Sequence, residues 1–172
     1  MASIIEGAAE AEPMEWYPWV VFIHAAAILA FFIAHGVSMA VAFAIRGETD
    51  VQRVRAMLDL SQSSLGTAAI AAILLGLLSG TAAGFMGTHW DRLWIWISLG
   101  LLVVVGGLMT PMGTIPLSKM RSAAGLPTRN GPGAEDLDQL RTLIAAWNPV
   151  PLATLGLGGF VAMLWLMMAQ PF

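Results

Sequence analysis

Two histidines, His24 and His35, lie in FIHAAAILAFFIAHGVSMAVAF, a run otherwise apolar enough to cross a lipid bilayer. An ionisable side chain inside a membrane segment is costly and normally faces the interior of a helix bundle, where it serves a function. The two are 11 residues apart, close to three helical turns or about 16 Å along the axis. They therefore share one face with Ile28, Phe31 and Ser38. That separation is too large for both to bind one metal ion or both sides of one haem. Each needs its own partner from another helix. His24 and His35 are the leading candidates for cofactor or metal binding; His89, Met109, Met163 and Met167 are weaker ones, since a thioether is a recognised axial ligand as well as flexible apolar packing. His89 follows the second apolar segment, where it can face His24 but cannot reach His35. The alternative role for either helix-one histidine is structural: a neutral imidazole that donates one hydrogen bond across the bundle and fixes its register.

Most other chemistries are excluded. The chain has no cysteine, which removes disulfides, thiolate zinc sites and iron–sulfur clusters. No carboxylate lies inside an apolar span, so a proton-relay pump lacks its usual acids. No glycine-rich phosphate loop follows a strand, and no serine has a histidine and an acid in a position to form a hydrolase site. The net charge of -3 and the lack of basic residues interleaved with aromatics argue against nucleic acid as a partner. Nothing here marks an enzyme acting on its own.

The elements that position these residues are four apolar spans. Of 172 residues, 58% are hydrophobic and 11% charged, and mean hydropathy is +0.75, a composition that belongs in a lipid bilayer. Segments of about 20 apolar residues, the length that crosses the hydrocarbon core, run over about 19–45, 65–86, 93–113 and 150–169. No basic stretch precedes the first, so it reads as a span and not as a cleaved leader. Arg46, Arg53 and Arg55 follow the first span; Lys119, Arg121, Arg129 and Arg141 separate the third from the fourth; only Arg92 falls on the other side. That asymmetry puts both basic segments in the cytoplasm and both termini outside. Glu6, Glu10, Glu12 and Glu15 in the N-terminal tail agree. Trp16, Tyr17, Trp19, Trp90, Trp94 and Trp96 fit an aromatic belt at the outer interface.

The expected fold is an all-α, four-helix transmembrane bundle of one domain. AEDLDQLRTLIAAW spaces Leu137, Leu140, Ile144 and Trp147 as one face of an amphipathic helix lying on the membrane before the fourth span, and VQRVRAMLDL suggests a shorter connector of the same kind. SKMRSAAGLPTRNGPG reads as irregular, and Pro111 as a helix end or kink. Glycines at 76, 80 and 84, at 100, 106 and 107, and at 156, 158 and 159 suit close helix packing; they would also leave room for a flat porphyrin.

Three stretches, FIHAAAILAFFIAHGVSMAVAF, RLWIWISLGLLVVVGGLMTP and LGLGGFVAMLWLMMAQP, resemble a family of small bacterial integral membrane proteins defined only as a domain of unknown function. That family is distantly similar to the copper-resistance D proteins and to the haem-binding bacterial protoporphyrinogen oxidase. In the oxidase an early histidine of helix one binds haem b and a lysine of a later membrane helix also matters. The resemblance implies His24 as the haem ligand. Helix three here has no lysine, which speaks against protoporphyrinogen oxidation. The expected function is thus a multi-pass protein of the bacterial plasma membrane that holds haem b and passes electrons, alone, as a homo-oligomer or within a larger membrane complex. Its alternatives are a cofactor-free structural subunit and a copper-handling protein using His24, His35 and methionines such as Met39.

Overall fold

The structure is a computed structural model that describes residues 15–172, with backbone alone at 62–65; Glu6, Glu10 and Glu12 of the acidic tail lie outside the described residues. Five helices follow one another: α1 (Tyr17–Ala44), α2 (Val51–Met86), α3 (Leu93–Ala123), α4 (Leu137–Ala146) and α5 (Val150–Ala169), with a 3-10 turn at Ile45–Gly47. Among the described residues there is no strand beyond one isolated bridge, Thr128 to Gly131. Helices α1, α2, α3 and α5 are each long and apolar enough to cross a membrane. Their large apolar side chains point outward, with Leu78, Val103 and Met168 each more than 70% exposed. Such a surface is untenable in water and ordinary in lipid, so the chain is a multi-pass integral membrane protein.

Two helices are longer than their apolar runs. The amphipathic stretch after the first span is the opening part of α2, not a separate connector, because SQSS contains no residue that breaks a helix. At 36 residues α2 is about 54 Å long and must project well beyond the hydrocarbon. Helix α3 likewise continues through Pro111 and Pro116 to Ala123, so Pro111 does not end it and Ser118–Ala123 is not irregular. Each proline removes one backbone donor, a loss that burial on the far side outweighs: Met120 and Ala123 are at most 1% exposed.

Those residues belong to the core at the basic end. Ile45, Val54, Leu58, Met120, Ala123, Ala124 and Leu140 are buried together, with Val41, Leu117, Leu137, Ile144 and Trp147 packed against them. Helix α4 therefore places its apolar face on protein rather than directly on lipid. Asp136 caps it by accepting from the Gln139 N–H at 2.9 Å, as Asp50 caps α2 by accepting from Gln52. Gly125, with φ +75°, ends α3: the Leu126 N–H donates to the Arg121 carbonyl and the Gly125 N–H to that of Ser122, the paired closure that a left-handed glycine permits. Arg121 is buried there. Its guanidinium reaches Asp59 at 2.9 Å and donates to the Leu58 and Pro127 carbonyls. Arg55 bonds Glu135 at 2.7 Å and the Ala124 carbonyl at 2.8 Å.

Above this closed end the bundle is two pairs. Close backbone approach is concentrated between α1 and α2 and between α3 and α5. The pairs meet mainly through side chains, as where Phe32 of α1 stacks on Phe160 of α5 with centroids 4.0 Å apart.

Candidate functional site

Helix α2 carries glycines one turn apart, and each receives a side chain from elsewhere. A Cβ on Gly76 would stand 2.9 Å from Ile28, one on Gly80 2.7 Å from the His24 ring, and one on Gly84 3.1 Å from the Trp90 indole nitrogen. These positions serve protein packing, and the seats left by the missing side chains are filled by Ile28, His24 and Trp90. Gly156 and Gly159 of α5 similarly receive Met109 and Val105. By contrast, Gly100, Gly106, Gly107 and Gly158 meet nothing within 4 Å, so the contacts expected of them do not form.

The seat at Gly80 orients His24. Its Nδ1 lies 2.8 Å from the Gly76 carbonyl oxygen. A carbonyl can only accept, so Nδ1 carries a proton and donates; in the neutral ring the lone pair is then on Nε2. Ser79 Oγ also lies 3.2 Å from the Gly76 carbonyl, while its closer acceptor is the Leu75 carbonyl at 2.6 Å. Ligating histidines in metalloproteins are commonly held in this way, one ring nitrogen tied to a backbone carbonyl and the other left for the metal.

His24 borders a cavity of about 280 Å³ between the two helix pairs, at the end of the bundle away from the basic core. All four spanning helices line it; Phe31 and Trp94 supply flat walls, and Met163 and Met167, one turn apart on α5, supply thioethers. The volume lies just below the roughly 300–1,000 Å³ of small-molecule sites. His89 also borders the cavity, but its Nε2 is 3.3 Å from the Tyr17 hydroxyl and its ring packs over Gly87. His24 and His89 are thus brought to one cavity, as their positions suggest, with His89 already partnered.

His35 is elsewhere. Its ring stacks on Phe31, centroids 5.7 Å apart and planes 16° from parallel, but it does not line the cavity. Its Nε2 is sealed from solvent and has no hydrogen-bond partner. Among the described residues only the Trp90 indole N–H shares that condition among side chains. Trp90 and Trp94 are not belt residues: Trp94 is buried and Trp90 is turned in against Gly84. Trp16, Trp19 and Trp96 remain exposed as a belt requires. Among the described residues no three His, Cys, Asp or Glu side chains gather as a metal site. No protein-family model, curated protein or solved structure matches the chain.

Proposed function

We propose that this multi-pass protein resides in the bacterial plasma membrane and holds haem b in the cavity between its helix pairs, as an electron-carrying subunit. The observation that carries the reading is the 2.8 Å bond from His24 Nδ1 to the Gly76 carbonyl, which in the neutral ring puts the lone pair on Nε2 of a residue that borders the cavity. The donor set fits: one imidazole from the α1–α2 pair and a thioether, Met163 or Met167, from the α3–α5 pair, a combination found in haem proteins. A cavity of about 280 Å³ is small for a porphyrin, so binding would also use the seam between the pairs.

Haem would supply one-electron chemistry. The chain's own residues do the rest. Gly76 fixes the ring of His24, Gly80 leaves room for it, and Phe31 and Trp94 offer flat apolar contact. The surrounding lipid-facing helices keep water away, and a thioether ligand would raise the reduction potential. Bacterial residence follows from the family resemblance, and the distribution of basic residues puts the haem-bearing half toward the outer leaflet.

A reduced-minus-oxidised visible spectrum of the purified protein tests this. Sharp haem bands are expected, abolished by His24→Ala and largely retained in His89→Ala. A colourless, stable, monodisperse protein would instead establish the cofactor-free reading.

A further inference from the structure

The last turn of α2 gathers polar side-chain atoms beside the cavity, and one of them has nothing to bond. A Cβ on Gly84 would stand 3.1 Å from Trp90 Nε1, and one on Gly87 would stand 2.5 Å from His89 Nε2 and 3.0 Å from the Tyr17 hydroxyl. Positions three apart on a helix are about 5–6 Å from each other, so the indole N–H and the His89–Tyr17 pair share one rim. All three residues border the cavity. Phe85 and Trp96 hold the Trp90 ring, with centroids 5.1 and 5.5 Å away, yet its N–H is buried without an acceptor. Leaving a buried donor unpaired is costly, and a ligand oxygen would remove that cost. The Tyr17 hydroxyl can both donate and accept, so its bond to His89 leaves it capacity for one more. Gly80 and Gly87 are seven positions apart, about 10 Å along α2, which sets this rim apart from the seat of His24.

The lining narrows the kind of ligand. Among the described residues, no lysine, arginine, aspartate or glutamate borders the cavity, so a charged head group would be buried without compensation. A volume of about 280 Å³ suits a single six-membered ring and its substituents, and the buried indole of Trp94 offers it a flat wall. Close backbone approach is concentrated within the helix pairs, and the seam between them gives a long apolar tail a way into lipid. A neutral, flat ring with oxygen at its edges and an apolar tail describes a lipid-soluble quinone. We infer that the outer rim binds the head group of a membrane quinone or its quinol, with one oxygen accepting from the Trp90 N–H and the other meeting the His89–Tyr17 pair. The indole has only to tilt off Gly84 to reach the ligand. This names the redox partner of the electron-carrying role proposed above, and it rests on that reading.

The probe is a decyl-chain benzoquinone added to the full-length protein in detergent. Binding is followed by titration calorimetry, with empty micelles as the blank, and by the infrared band of the quinone carbonyls. Saturable binding is expected, with the carbonyl band displaced by the new hydrogen bond from its position in empty micelles. Trp90→Phe keeps an aromatic ring and removes the donor; it should weaken binding at least about 10-fold, the size of one lost hydrogen bond, and reduce the displacement of the band. His89→Leu should weaken binding to a similar extent. Trp165→Phe, at a tryptophan exposed on α5, should change neither quantity. Wild-type protein without saturable binding overturns the inference, as does a Trp90→Phe protein with wild-type affinity and an equally displaced band. Haem bands in a sample that binds no quinone overturn this inference alone. Saturable, Trp90-dependent binding in a colourless sample upholds the site and overturns only the haem reading.

Discussion

Replacing Gly80 by alanine addresses the orientation of His24 with one methyl group. The added carbon would stand 2.7 Å from His24 Cε1 and 2.8 Å from Nδ1. The ring must retreat by about 0.7 Å to restore ordinary contact in an interior packed this closely. The 2.8 Å bond to the Gly76 carbonyl then stretches beyond the roughly 3.2 Å limit of a good N–H···O bond. Forcing a methyl into a filled site costs about 1–3 kcal/mol, and the lost bond about 0.5–1.5 kcal/mol. Alanine returns about 0.5–1 kcal/mol of helix propensity. The net is a destabilisation of about 0.5–4 kcal/mol, or a fall in Tm of about 1–16 °C for a chain of this size. Gly106→Ala is the control: nothing lies within 4 Å of its new carbon, so only the favourable propensity term remains. Thermal unfolding of both variants in the same detergent, followed by circular dichroism, decides the matter. A Gly80→Ala protein as stable as Gly106→Ala would refute the packing of His24 against α2, and with it the assignment of the free Nε2.

Two further outcomes concern the basic end. Arg121→Lys keeps the charge but loses the planar fork that reaches Asp59, Leu58 and Pro127 at once; leaving buried carbonyls short of donors should cost about 2–4 kcal/mol and speed proteolysis between residues 124 and 136, and an unchanged cleavage rate would contradict it. The Glu48 carboxylate accepts from the Asp50 and Thr49 backbone N–H groups, each at 2.9 Å, and these, the Asp50 bond foremost, hold its pKa below the usual glutamate range. Its support for the turn into α2 is therefore complete above the ordinary glutamate pKa and lost as pH falls through the lowered one; hydrogen-exchange protection at residues 45–52, corrected for the intrinsic pH dependence of exchange, should fall with acidification in the wild type and be independent of pH in Glu48→Gln.

The spans and their all-helical architecture were legible because twenty apolar residues in a row have few physical alternatives. Helix α4 was legible through the spacing of Leu137, Leu140 and Ile144, although the surface it covers was not: burial of Leu140 depends on Met120 and Ala123 reaching the same place. Pro111 misled for a related reason. A proline's local cost can be read from the chain, but the burial beyond it that outweighs this cost depends on residues distant in sequence. At the site, the shared face of His24, Ile28 and Phe31 was visible from the 3.6-residue period. That Gly80 faces His24 and Gly100 faces nothing was not, because a glycine carries no mark of which way it points. Trp90 looked like a belt residue for the same reason that Trp96 is one; a glycine at 84 as its seat was the one available sign, and it is readable only once α2 and the turn are placed together.

The asymmetry between the two ends of the bundle connects packing to function. At the basic end, a buried apolar cluster, a capped α4 and two arginines tie α1, α2, α3 and α4 together. At the other end the α1–α2 and α3–α5 pairs part around a cavity. Between those ends, the stack of Phe32 on Phe160 joins the two pairs across the seam. A ligand bonded to His24 on one pair and to a methionine on the other would then act as the missing tie. By mass action, a ligand that binds only the folded state adds stability in proportion to the logarithm of its excess over Kd. A haem-loaded protein should therefore unfold at a higher temperature than the unloaded one, and His24→Ala should erase that difference while leaving the basic end intact.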